Sequence, residues 1–222
     1  MKVPLPLPFD RELRVRTSGS YHLQLPSTQS NSSTLLPLLI FLHGMGQAAN
    51  LFDDVSPPKM RHEGNDFPCI IASPLCEDIR WNIDLIPALV EELSENHVID
   101  PQRIYLTGIS IGGMATWQAA IRFPSIFAAI IPICGAGDSW NAFRISHVPC
   151  WAFHGKQDEI VPVAETEKMI SELSECGGTP RCTIYDDGSH DIWDRAYQNH
   201  ELWDWLFSQT KQNAAASDDH SS

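Results

Sequence analysis

Apolar runs broken by glycine, proline and aspartate divide this chain into short blocks. Leu35 to Leu42 is almost unbroken in its apolar character, the pattern of a parallel strand covered on both faces. Arg103 to Thr107, Val148 to Gly155 and Arg181 to Tyr185 read as further strands, rich in β-branched and aromatic residues. Between them the apolar spacing changes to that of a helix. Helices are predicted over Ile83 to His97, Ile111 to Arg122, Val163 to Cys176, and about His200 to Gln209, the last with Leu202, Trp205 and Leu206 on one face. Strands alternating with helices predict an α/β fold, a mostly parallel central sheet with helices on both faces. Ahead of this core, residues 11 to 26 suggest two antiparallel strands separated by Ser18-Gly19-Ser20, and residues 27 to 34 a polar linker. Asp100-Pro101 opens a strand and Gly177-Gly178 ends a helix. Residues 1–210 are expected to form one domain, and 211–222 a disordered polar tail. There is no internal repeat and no apolar run long enough to span a membrane.

Candidate chemistry centres on Gly108-Ile109-Ser110-Ile111-Gly112, which follows one predicted strand and opens one predicted helix. A strand that turns at once into a helix forces its central residue into strained backbone angles, and the glycines keep side chains out of the crowded turn. Such a turn holds a serine hydroxyl clear of the backbone. A hydroxyl is a poor nucleophile near neutral pH, so it needs a histidine to take its proton and an acid to orient that histidine. Asp158 falls in the loop after the strand ending at Gly155, and His190 in the loop after the strand ending at Tyr185. Ser110, Asp158 and His190 thus follow three different strands, where open α/β sheets place their sites. Asp138, Asp187 and Asp191 compete for the acid's role. Asp187 and Asp191 share a loop with His190, which favours Asp158.

The strand ending at Leu42 leads into His43-Gly44-Met45-Gly46-Gln47. A His-Gly-x-Gly segment of this kind lends a backbone N–H to an oxyanion hole, with the second donor from the residue after the nucleophile. Those donors are assigned to Met45 and Ile111. These segments, with Pro57-Pro58, Ile71 to Pro74, Trp81-Asn82, Asp100 to Gly108, Pro132 to Gly135, Ala152 to Gly155 and Gly188 to Asp194, resemble the single-domain carboxylesterase, phospholipase and "predicted peptidase" branch of the α/β-hydrolases. Dienelactone hydrolases, acyl-protein thioesterases, feruloyl esterases and polyhydroxybutyrate depolymerases are relatives of that branch. The resemblance covers roughly residues 20 to 208 and implies the α/β-hydrolase fold and the triad. One departure is Gln47, where many relatives carry an acidic residue.

Composition narrows the partners. A net charge of −13 without a basic patch argues against nucleic acid or an anionic membrane. Residues 1 to 9 lack the apolar core of an export signal, which predicts a cytoplasmic location. The six cysteines are expected to be reduced, with Cys176 and Cys182 the foremost pair for any disulfide. His43 and His154 each precede a glycine at a strand end, where a ring packs or holds a loop. No metal site is expected, because Ser189-His190-Asp191 has no second histidine at i+2 to i+4.

Only about a dozen residues join Cys134 to Val148, too few for a helical lid domain, so the cleft is expected to be open. Trp81, Trp140, Ile160 and Trp193, with Met45, are candidates for its walls. The expected activity is hydrolysis of short- to medium-chain or aryl carboxylic esters through an acyl-enzyme, with no cofactor. A thioesterase or peptidase using the same triad and a non-catalytic ligand-binding hydrolase fold are the alternatives.

Overall fold

The structure is a computed structural model that describes residues 18–27, 34–47, 51 and 55–211. Its centre is a seven-stranded sheet: β1 (Tyr21–Gln24), β2 (Leu36–Leu42), β3 (Ile70–Pro74), β4 (Ile99–Ile109), β5 (Ala129–Ile133), β6 (Trp151–Gly155) and β7 (Arg181–Tyr185). The spatial order is β1-β3-β2-β4-β5-β6-β7, with β1 antiparallel to β3 and every other pairing parallel. Parallel neighbours require crossovers, supplied by α1 (Pro57–His62), α2 (Leu85–Asn96), α3 (Ile111–Arg122) and α4 (Val163–Glu175), before α5 (Trp193–Tyr197) and α6 (His200–Ser208) close the chain.

The period-two alternation of a strand divides the core between two faces. Leu38, Ile40 and Leu42 of β2 pack with Ile86 and Leu93 of α2, Trp117 of α3, and Met169 and Leu173 of α4. Leu39 and Phe41 face the other way, onto Tyr197 of α5 and Leu202, Trp203 and Leu206 of α6. The helices are shaped by this burial. In α4 only Thr166, Met169 and Leu173 are buried, one stripe at helical spacing, whereas α3 is buried nearly all round. Local signals set helix starts: Ser56 caps α1, accepting from Lys59 N with proline in the first turn, and Asn199 caps α6 through Glu201 N.

The predicted strands and long helices are present, with shifted ends. β4 begins at Ile99 rather than Arg103 because Leu36 of β2 pairs with Ile99 and Leu38 already pairs with Ile104. The extra residues bulge, and Arg103 Nε holds Asp100 Oδ2 across the bulge at 2.6 Å. α2 begins at Leu85, not Ile83, after a turn through Asn82. β3 and β5 are five-residue apolar runs with no periodicity to separate them from helix, and α1 and α5 are too short to show a helical stripe. Of the two strands expected over 11 to 26, the second is β1, paired with β3; residues 11–17 lie outside the described residues, as do most of the 27–34 linker and residues 212–222 of the tail. Among the described residues no helix is long and apolar enough to cross a membrane.

Candidate active site

Ser110 stands between β4 and α3 at φ 54° and ψ −118°, a region that side chains other than glycine rarely occupy. The turn is clamped from both sides: Ser110 N–H donates to Ile133 O of β5, and Ser110 O accepts from Met114 N of α3, each at 2.9 Å. The flanking glycines answer a steric demand. A Cβ on Gly108 would come 2.3 Å from Gly112 O, and one on Gly112 would come 2.0 Å from Leu42 O at the end of β2. The same contact brings the turn after β2 against the start of α3.

His190, in the loop after β7, reaches this serine. Its Nε2 is 2.9 Å from Ser110 Oγ, and its Nδ1 is 2.7 Å from Asp158 Oδ2. A carboxylate only accepts, so Nδ1 carries the proton and Nε2 is left to accept from the serine hydroxyl. The Asp158 side chain is wholly buried and its other oxygen is also satisfied, Oδ1 accepting from Ile160 N at 2.9 Å and Val161 N at 2.8 Å. Burial pushes the Asp158 pKa up, but the hydrogen bonds from His190, Val161 and Ile160 outweigh it, and the carboxyl is held below its ordinary value of 3.8. Trp193 stands edge-on to the His190 ring, centroids 5.7 Å apart. The rival acids are engaged elsewhere: Asp138 with Asn141, Asp187 with Arg195 at 2.7 Å, and Asp191 with the Ser189 hydroxyl.

The chain matches the family model described as "Phospholipase/Carboxylesterase" over residues 76–201, more than half its length and the part that holds Ser110, Asp158 and His190. The chain belongs to this family. Its fold is that of the α/β-hydrolases: a solved thermostable esterase superposes with a TM-score of 0.74 and 30% identity, covering 86% of this chain and 59% of that one. Among curated proteins, a bifunctional acetylxylan esterase/xylanase of Neocallimastix patriciarum is 24% identical over 83% of this chain and 27% of its own length. A poly(3-hydroxyalkanoate) depolymerase C of Paucimonas lemoignei is 42% identical over 45% of this chain and 28% of its own. The chain therefore spans little more than a quarter of either curated relative.

The other residues of this phospholipase/carboxylesterase member divide into exposed and buried sets. Met45, Trp140 and Ile160 are exposed large apolar side chains, at 61%, 86% and 71%. Between β5 and β6 the connection carries a single 3-10 helix, Ser139–Ile145, and no helical lid. Trp81 departs from the expectation of a cleft wall. It is buried, tilts against the His43 ring at 4.9 Å between centroids, and donates from Nε1 to His43 O. Its apolar body completes the core under the turn after β2, a placement that adjacency in sequence could not reveal.

His43 holds that turn, as a ring at a strand end was expected to. Its Nδ1 donates to Gly44 O at 2.7 Å and its Nε2 accepts from Cys76 N at 3.0 Å. Burial lowers its pKa, with the Gly44 bond opposing. Gln47, the departure from an acidic residue, accepts the Gly44 N–H on Oε1 at 2.7 Å.

Sequence spacing missed one cluster. One ligand atom each from Cys134, His154 and Asp158 lie within 4.8 Å of one another, the proximity of a metal seat. The donor chemistry does not fit an ion. Burial pushes the Cys134 thiol up to about 12, and His154 Nε2 already gives its proton to Val161 O at 2.9 Å. A metal needs these atoms deprotonated and unshared.

Proposed function

We propose that this chain is a serine hydrolase of carboxylic esters. The observation that carries the reading is the unbroken relay Asp158 Oδ2 to His190 Nδ1 at 2.7 Å and His190 Nε2 to Ser110 Oγ at 2.9 Å, built on a strained strand-to-helix turn. In this reading His190 takes the Ser110 proton as Oγ attacks the ester carbonyl, and Asp158 stabilises the imidazolium that forms. Collapse of the tetrahedral intermediate expels the alcohol, which receives that proton. Water then repeats the sequence on the acyl-enzyme and frees the acid.

Backbone N–H groups of Met45 and Ile111 are proposed to hold the oxyanion. Ile111 is the first residue of α3, where an N–H has no intrahelical acceptor. Gln47 Oε1 accepts the Gly44 N–H and so braces the turn that carries Met45. Each such donor is worth about 3 kcal/mol of barrier. Exposed Trp140 and Ile160, with Trp193 beside the histidine, are proposed to contact the acyl or alcohol group, giving an open site suited to short-chain, aryl or bulky esters. The triad acts without cofactor or metal, and six free thiols support a reducing, cytoplasmic location. Domain unity over 1–210 is likewise proposed.

The deciding experiment is hydrolysis of p-nitrophenyl esters from acetate to palmitate by the wild type and Ser110→Ala. Expected is turnover that peaks at short chains and falls by at least about 10³-fold in the mutant. Activity that survives Ser110→Ala, or a wild type inert on every ester, overturns the reading.

A further inference from the structure

Behind the proposed triad lies a second histidine for which ester hydrolysis names no task. His154 is wholly buried in β6, four residues before Asp158. Its Nε2 is 2.9 Å from Val161 O, to which it is hydrogen-bonded, and 3.1 Å from Asp158 Oδ2. Both oxygens only accept, so Nε2 bears a proton. The ring's other edge is held in turn: Nδ1 is 2.8 Å from Thr166 Oγ1 of α4, and that hydroxyl stands 3.5 Å from Gly135 O beyond β5.

These contacts tie the acid's turn to β6 and α4. Val161 gives its carbonyl to His154 and its N–H to Asp158 Oδ1. Oδ2 meanwhile accepts from His190 Nδ1 at 2.7 Å and lies 3.1 Å from the His154 Nε2 whose proton is directed to Val161 O. The titratable groups gathered here are Cys134 from the end of β5, His154 from β6, Asp158 and His190; nearby Asp191 is turned to Ser189.

We propose that His154 is a positioning residue for the triad: by holding the Val161 carbonyl beside Asp158 Oδ2, it fixes the 158–161 turn and the carboxylate that orients His190. The inference rests on the ester-hydrolase reading of the same site. Without the ring the turn loses its anchor to β6 and α4, so Asp158 no longer presents Oδ2 at one place and His190 is less firmly held in the orientation that accepts the Ser110 proton.

The test compares wild type with His154→Leu, which keeps bulk and removes the donor, and His154→Gln, which keeps an N–H donor for Val161 O. Ser110 phosphonylation by an alkyl fluorophosphonate is timed by intact mass, and kcat and KM are measured on p-nitrophenyl acetate, with thermal melts alongside. In His154→Leu, phosphonylation and kcat are expected to fall about tenfold, the effect of one hydrogen bond, with KM within about twofold. His154→Gln is expected to recover most of the rate. A folded His154→Leu with the wild-type rate overturns the inference, as does equal loss in both variants, the mark of packing alone. If His154→Leu does not fold, Thr166→Val decides: a smaller loss in kcat with KM unchanged supports the role, and wild-type behaviour refutes it. A wild type inert to the fluorophosphonate sinks the hydrolase reading itself, a result distinct from equal labelling of wild type and variant.

Discussion

Two histidines of one chain are put to opposite uses by the atoms around them. His190 is mostly buried but reaches solvent, between a carboxylate and a hydroxyl, so its ring offers a proton path. His43 is fully buried between a carbonyl and an amide, so its ring holds a turn. Burial lowers the His43 pKa, and the sign of its linkage follows. Below its ordinary value of 6.5 the unfolded chain takes up a proton that the folded chain resists, so stability is full above 6.5 and falls as pH drops toward the folded value. In urea melts between pH 7.5 and 5.5 the wild type is expected to lose up to about 1.4 kcal/mol per pH unit from this group. His43→Asn is expected to flatten that slope; an identical slope in both proteins refutes the assignment.

At the scale of elements, the site is made by how closely β2, β4 and α3 approach one another. Leu42 of β2 pairs with Gly108 of β4, and α3 leaves the elbow so close to β2 that only a hydrogen fits at residue 112. That contact sets the turn after β2 beside Ser110. Gly112→Ala places a methyl group 2.0 Å from the Leu42 carbonyl oxygen, with backbone on both sides and no flexible side chain to yield. The expected cost is about 3 kcal/mol or more in equilibrium unfolding, with activity lost beyond the fall in folded fraction. A variant of wild-type stability and activity refutes this account of the elbow.

The whole molecule is a sheet with two separately packed faces, and the site lies along one edge of it, at the C-terminal ends of β2, β4, β6 and β7. The same packing governs the thiols. All six cysteines are free, but burial pushes Cys69 and Cys134 up to about 12 and Cys182 to about 11, and Cys150 well above its ordinary value. Cys176, at the end of α4, and Cys182, on β7, are nonetheless exposed at the surface. Ellman's reagent on the native protein at pH 8 is expected to reach the exposed Cys176 and Cys182, the first signal lost in Cys176→Ser and the second, slower one in Cys182→Ser, with Cys69, Cys134 and Cys150 reacting only on unfolding. Fast reaction of those three in the folded protein refutes this packing.

Much of the site was legible because its signals are local. Gly108 to Gly112 announces its own turn by its spacing, with Gly108 answering a contact only four residues on, although the demand on Gly112 comes from Leu42 of β2; the long apolar or striped segments that became β2, α3 and α4 announce burial by their period. The order of Ser110, Asp158 and His190 named three residues that the fold then brought within hydrogen-bond reach. Other features were decided only by contacts between distant segments. β3 and β5 are too short for any period and exist because neighbours on both sides complete their hydrogen bonds. Trp81 lies under the His43 turn because two loops far apart in sequence meet there, and the buried ring of His154 beside Asp158 depends on the path of the 158–161 turn. A residue's own chemistry and spacing are written along the chain; which partner desolvates or grips it is set by distances that exist only after the sheet has formed.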